Sequence, residues 1–167
     1  AFSQEELLEK FEQRKTGWLS WITSDDKYAR EKLTGDLDTL ESWYLDRGYL
    51  KFELASTQVS INAAKDSVYI TINIDEGDIY TIDEVDLAGE LKIPEEQIKA
   101  LVILREGMTF SQALMTASSE YITKRLGNEG YTFAEVNGYP DIDEESKTAK
   151  ITYLVKPGMR AYVRRIE

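Results

Sequence analysis

Residues 68–74 alternate without a fault. Val68, Ile70, Ile72 and Ile74 share one parity, and Tyr69, Thr71 and Asn73 the other. Period two with β-branched residues predicts a strand with one buried face. The preceding apolar segment, residues 49–61, breaks the alternation: Phe52 and Leu54 share one parity, Val59 and Ile61 the opposite one. Both pairs can lie on one face only if an extra residue intervenes, so a bulge is expected around Ala55 to Gln58.

Elsewhere the period is helical. Ser3 and Glu6 have capping-box spacing, and Phe2 with Leu7 fits a hydrophobic staple. They predict a helix over residues 4–13 with Leu7, Leu8 and Phe11 inward, ended by Gly17. An apolar connection, Trp18 to Ile22, leads to a second helix from Ser24 or Asp25. Tyr28, Leu33, Leu37, Leu40 and Tyr44 mark its inner face, and Gly48 is its expected left-handed cap. Residues 80–89 read as a strand. A helix follows from about Pro94, with Ile98, Leu101 and Val102 on one side. Ser111 caps another helix running to about Asn128, and Gly130 ends it. Residues 131–136 and 149–155 read as two strands around the turn 141–147.

The chain repeats itself. Gly48-Tyr49 matches Gly130-Tyr131, residues 68–77 match 149–158, and residues 80–85 match 161–166. Each unit reads strand, helix, helix, strand, strand. The recurrent Gly-Tyr corner joins the second helix of each unit to its hairpin. The fold class expected is α+β: two tandem modules, each a three-stranded mixed sheet covered by two antiparallel helices. In that order the last strand pairs with both others, which leaves the segment 49–61 at the edge. Edge strands offer unpaired backbone groups to an extended peptide, and the alternative is that the expected bulge twists this edge away from partners. Phe52, Leu54, Ala55, Ser56, Thr57, Gln58, Val59 and Ile61 are therefore the candidate partner-binding residues. Asp78, Ile79 and Tyr80 are the candidate hinge between modules.

Composition narrows the function. The formal net charge is −11, which argues against a nucleic-acid binder. The chain has no cysteine and no histidine. A thiol nucleophile, a disulfide framework and the usual near-neutral general base are all excluded. No apolar window is long enough for a membrane-spanning helix. Ala1-Phe2-Ser3 is not a signal peptide, so an exported protein would carry this chain as an internal or processed piece. Acidic groups at Asp25-Asp26, Asp75-Glu76-Asp78 and Asp141-Asp143-Glu144-Glu145 invite a hydrolase reading, but they fall in turns and caps. The turn 141–147 lacks the central glycine of a calcium loop. Trp18, Trp21, Trp43 and Tyr44 read as core. Lys156, Arg160, Arg164 and Arg165 read as a solvated strand face. No cofactor, no metal and no catalytic role is expected.

The stretch from Asp25 to Ser60, "DDKYAREKLTGDLDTLESWYLDRGYLKFELASTQVS", resembles the third POTRA (polypeptide-transport-associated) domain of the BamA family, the outer-membrane β-barrel assembly factors. "YVRRIE" at residues 162–167 is similar to the opening strand of the fifth domain. The resemblance implies a third-like module at residues 1–79, lacking its first strand, a fourth-like module at 80–159, and a first-strand stub at 160–167. It implies a periplasmic location, in a protein held in the outer membrane by a C-terminal barrel absent from this sequence. It also implies a scaffold that binds unfolded outer-membrane proteins by β-augmentation and docks accessory lipoproteins. Among these the propeller lipoprotein BamB would dock on the first module near Ala55, Val59 and Ile61. The alternatives are a POTRA segment of another exported transporter or division protein, and, in a different class, an acidic-site hydrolase. With no strand before the capping box, the outer edge of residues 68–74 is expected to take a strand from another molecule, with Tyr162 to Ile166 the leading candidate.

Overall fold

The structure is a computed structural model, and it describes Leu7 and residues 26–61 and 68–161. By contacts the chain divides into two units, Ala1–Leu45 with Tyr49–Gly77, and Asp46–Gly48 with Asp78–Glu167.

The first unit contains α1 (Asp26–Leu45), β1 (Glu53–Ile61) and β2 (Val68–Asp75). Its buried cluster is Leu40, Tyr44, Tyr49 and Phe52. Leu7 has helical backbone and packs, partly buried, against this cluster with Trp43, Leu54 and Ile74. Aromatic contacts dominate: Phe52 stacks on Tyr44 at 4.3 Å, and Tyr49 meets Tyr44 edge-on at 5.3 Å. Tyr44 is fully buried, and its hydroxyl donates to a carboxylate oxygen of Glu76 at 2.6 Å. The rest of the helix predicted over residues 4–13, and Trp18, Trp21 and Asp25, lie outside the described residues.

The second unit contains β3 (Thr81–Gly89), α2 (Glu95–Lys99), α3 (Gln112–Asn128), β4 (Glu135–Asp143) and β5 (Thr148–Lys156). The sheet order is β3-β5-β4, with β3 parallel and β4 antiparallel to the central β5. This is the predicted mixed three-stranded sheet. Along β5, Ala149, Ile151, Tyr153 and Val155 are buried, and the alternate residues are half-buried. Ile98, Val102, Leu104, Phe110, Ile122 and Leu126 complete the core beneath it. Ser111 caps α3 as expected, its hydroxyl accepting from the Leu114 N–H.

The recurrent corner has one geometry in both places. Gly48 and Gly130 take φ of 92° and 94°. The N–H of the following tyrosine reaches back to the carbonyl five residues earlier, Tyr49 to Tyr44 and Tyr131 to Leu126. This is the Schellman closure of a helix, and only glycine adopts its left-handed residue without strain. A second turn then follows, with Phe52 N–H bonded to the Tyr49 carbonyl and Ala134 N–H to that of Tyr131. That turn corrects the expected strand starts at Tyr49 and Tyr131. Each strand begins only after the turn, at Glu53 and Glu135, because residues 49–52 and 131–134 use their backbone groups locally. The turn expected at 141–147 is shorter too. Asp141 to Asp143 belong to β4, and the reversal lies at 144–147 with Lys147 at φ 55°.

Candidate partner-binding edge

The bulge falls where the broken alternation requires it. Leu54 pairs with Ile74 and Ser56 with Asn73, so Ala55 is the extra residue. After it, Thr57 faces Ile72 and Val59 faces Ile70. Directly opposed residues share a face, so Leu54, Thr57 and Val59 lie on the isoleucine face of β2 despite their mixed parity. Ser56 and Gln58 lie on the other face, where the Asn73 amide donates to the Ser56 hydroxyl at 2.8 Å.

The candidate residues divide by burial. Phe52 precedes the strand and is stacked in the core, so its side chain is not part of an exposed edge. Leu54 is half-buried against that core. Ala55, Thr57, Gln58 and Val59 are exposed, Val59 by 56%, and Ser56 is half-exposed. Ile61 ends the strand, and its side chain lies outside the described residues. From Leu54 to Ile61 no residue carries a charge. Among the described residues β1 pairs with β2 alone. Tyr162 to Ile166, expected to exchange with the other side of β2, lie outside the described residues.

Of the hinge candidates, Asp78 and Ile79 are exposed and Tyr80 is buried. Asp78 pairs with Lys147 at 2.7 Å, a hydrogen bond that raises the lysine pKa. Within the second unit the Tyr80 N–H donates to the Gly48 carbonyl at 2.9 Å.

Asp75, Glu76, Asp78 and Asp143 are committed to separate structural bonds. Asp75 accepts from the Gly77 N–H, Glu76 from Tyr44, and Asp78 from Lys147. Asp143 accepts from the N–H groups of Glu145 and Ser146, and hydrogen bonds from Ser146 and this turn hold its carboxyl below the usual range. Among the described residues no group of carboxylates could hold a metal ion. Trp43 and Tyr44 pack edge-on in the first core, as expected. Arg160 donates to the Glu129 carbonyl and lies 6.0 Å from the centre of the Tyr131 ring.

Three features had no place in the sequence reading. A groove of about 420 Å³ runs between α3 and the first half of β4, lined by Met115, Ser119, Thr123, Val136 and Gly138. Its floor depends on Gly138, where a Cβ would come within 2.6 Å of the Met115 side chain. The second feature is Asp46. Its carboxylate accepts from the Ala113 N–H at 2.7 Å and from the Ser111 hydroxyl at 3.3 Å, a second cap on α3 within the second unit. The third is Pro140, inside β4. Helix-cap spacing reveals Ser111; Asp46 is 67 residues from its partner Ala113, and no local pattern joins them.

The sequence profile of POTRA, described as surface antigen variable number repeat, matches residues 1–77 and again 80–158. The chain belongs to the POTRA family. The second POTRA unit shows the mixed sheet and two helices of the module in full among the described residues. The chain is 25% identical over 166 residues to the outer membrane protein assembly factor BamA of Neisseria meningitidis serogroup B, covering 99% of this chain and 21% of that protein. It is 29% identical over 168 residues to BamA of Buchnera aphidicola, covering 99% of this chain and 27% of that one. The crystal structure of Haemophilus influenzae BamA POTRA3-5 matches it with a TM-score of 0.81 at 28% identity, over 96% of this chain and 63% of that one. The chain thus spans about a quarter or less of the length of these curated relatives, and these POTRA repeats are similar to those of BamA.

Proposed function

We propose that this chain is a periplasmic binding and scaffold segment of an outer-membrane protein assembly factor. It takes unfolded outer-membrane protein segments as strands added along β1, from Leu54 to Ile61, and docks accessory lipoproteins, with BamB on the first module. The reading is one of binding, not catalysis. The observation that carries it is the character of β1: a strand paired on one side among the described residues, uncharged from Leu54 to Ile61, with Val59 exposed. The names of the BamA relatives support the setting. Backbone pairing suits a receptor for many strand-forming sequences, because the ladder contributes affinity without reading side chains. Residues Asp78 to Tyr80 form the pivot of this reading, and solution scattering over several conditions tests it. One inter-module geometry throughout would count against a pivot.

Proline substitution tests the edge. Adjacent residues of an antiparallel strand send their N–H groups to opposite sides. Of Gln58→Pro and Val59→Pro, one therefore removes an outward donor and the other a bond to β2. The variant losing the outward donor should stay folded and bind an unfolded barrel protein at least tenfold more weakly in a pull-down. Unchanged binding by both folded variants would refute strand addition at β1.

A further inference from the structure

The two modules repeat the same edge but do not finish it alike. β1 and β4 occupy equivalent places after the Gly-Tyr corner, and among the described residues each pairs with one neighbour. β1 has no proline, and no charge after Glu53. β4 carries Glu135, Asp141 and Asp143, with Pro140 between Tyr139 and Asp141.

The register shows where Pro140 points. β4 pairs with β5 without a break from Glu135, opposite Lys156, to Asp143, opposite Thr148, and Pro140 lies opposite Ile151. In an antiparallel pair alternate residues send their N–H to the neighbour and the rest send theirs away. Proline has no N–H to give, so an unbroken ladder holds it only where the N–H would face away. Pro140 therefore stands on the side of β4 turned from β5, with the N–H groups of Val136, Gly138 and Ile142. An incoming strand would find a donor missing in the middle of its ladder and a ring carbon in its place. The carboxylate of Asp141 follows at once, and charge on an edge strand is a second deterrent to pairing.

We infer that Pro140, with Asp141 beside it, closes the β4 edge to strand addition, so that of the two repeated edges only β1 accepts an extended partner. The inference rests on the reading of β1 as an augmentation edge. It makes the tandem directional: one receptive module, and one whose edge strand, in the equivalent place after the Gly-Tyr corner, is protected.

The test uses the whole chain, isotope-labelled for NMR, and a ten-residue peptide of alternating valine and threonine with lysine at each end. The lysines favour the acidic β4, so silence there is a strict result. The variants are Val59→Pro, Gln58→Pro and Pro140→Thr, the last alone and with Asp141→Thr, each checked for folding by thermal unfolding. Expected are peptide-induced shifts confined to residues 56–61 in the parent chain. Pro140→Thr with Asp141→Thr should add shifts at residues 136–142 and a second equivalent of bound peptide, with affinity at β4 raised at least tenfold. Self-pairing of the opened edge, seen as a new dimer in sedimentation, counts as the same gain. Shifts at β4 of the parent chain equal to those at β1 would overturn the inference, as would a folded double variant with no gain. If the parent binds nowhere and the double variant binds at β4, the β1 reading falls and the role of Pro140 stands. If neither binds, both fall.

Discussion

Single residues carry the helix ends of this molecule. Asp46 and Ser111 share the N-terminus of α3, one accepting from the Ala113 N–H and the other from that of Leu114. Carboxylates are also favoured there by the helix dipole. Asp46→Ala should cost about 1 kcal/mol, the usual worth of a cap, and Asp46→Asn much less; urea unfolding measures both. Gly130→Ala places a Cβ at φ 94°, 3.2 Å from the Ala161 carbonyl oxygen. That left-handed strain should cost about 1–2 kcal/mol in the same assay. Tyr44 gives a pH signature. Burial first, then its hydrogen bond to Glu76 and the charge of Glu76, raise its pKa well above the ordinary tyrosine value. A raised folded pKa means the stabilising contribution is complete below the unfolded value of ~10 and is lost as pH climbs through the folded value. Stability should therefore fall above about pH 10, and Tyr44→Phe should flatten that fall, as read by urea unfolding across pH.

At the scale of elements, the bulge in β1 lets two parities share one face. Because Leu54 and Ser56 oppose consecutive residues of β2, removing Ala55 leaves every other face assignment intact. A chain lacking Ala55 should stay folded within about 1 kcal/mol, the loss being local twist and not burial. Amide shifts should change mainly over residues 52–57. If that deletion unfolds the first unit, the bulge is holding the hairpin and not merely re-aiming it. The same element illustrates what pattern cannot show. Val59 lies on the isoleucine face yet is more than half exposed, because the buried cluster sits beneath the other end of the hairpin, at Phe52 and Leu54.

At the scale of the whole molecule, charge is the dominant feature. Asp and Glu exceed Lys and Arg, 31 to 20. Ion pairs such as those of Lys150 with Glu84 and Asp86 are well exposed, and pairs of that kind contribute little. Net self-repulsion should outweigh them at low ionic strength. Raising salt from about 10 mM to about 150 mM shortens the screening length from roughly 30 Å to 8 Å, and the melting temperature should rise slightly. A fall would mean that the paired charges hold more stability than their exposure suggests.

The sequence by itself determined whatever depends on neighbours within a few positions. Hydrophobic period set the strands and helices. Ser111 and the glycines at 48 and 130 set their ends, and the parity break around Ala55 set the bulge. The repeat carried the topology, because a known order of elements in one unit dictates the other. The apolar character of residues 49–52 extends the strand pattern over them, yet it serves the core, while their backbone closes a helix and a turn. Tertiary structure alone decided what depends on distant partners. The capping of α3 by Asp46, the bond from Tyr44 to Glu76 and the groove over Gly138 have no local signature. Each pairs residues whose approach is fixed by packing, not by spacing along the chain.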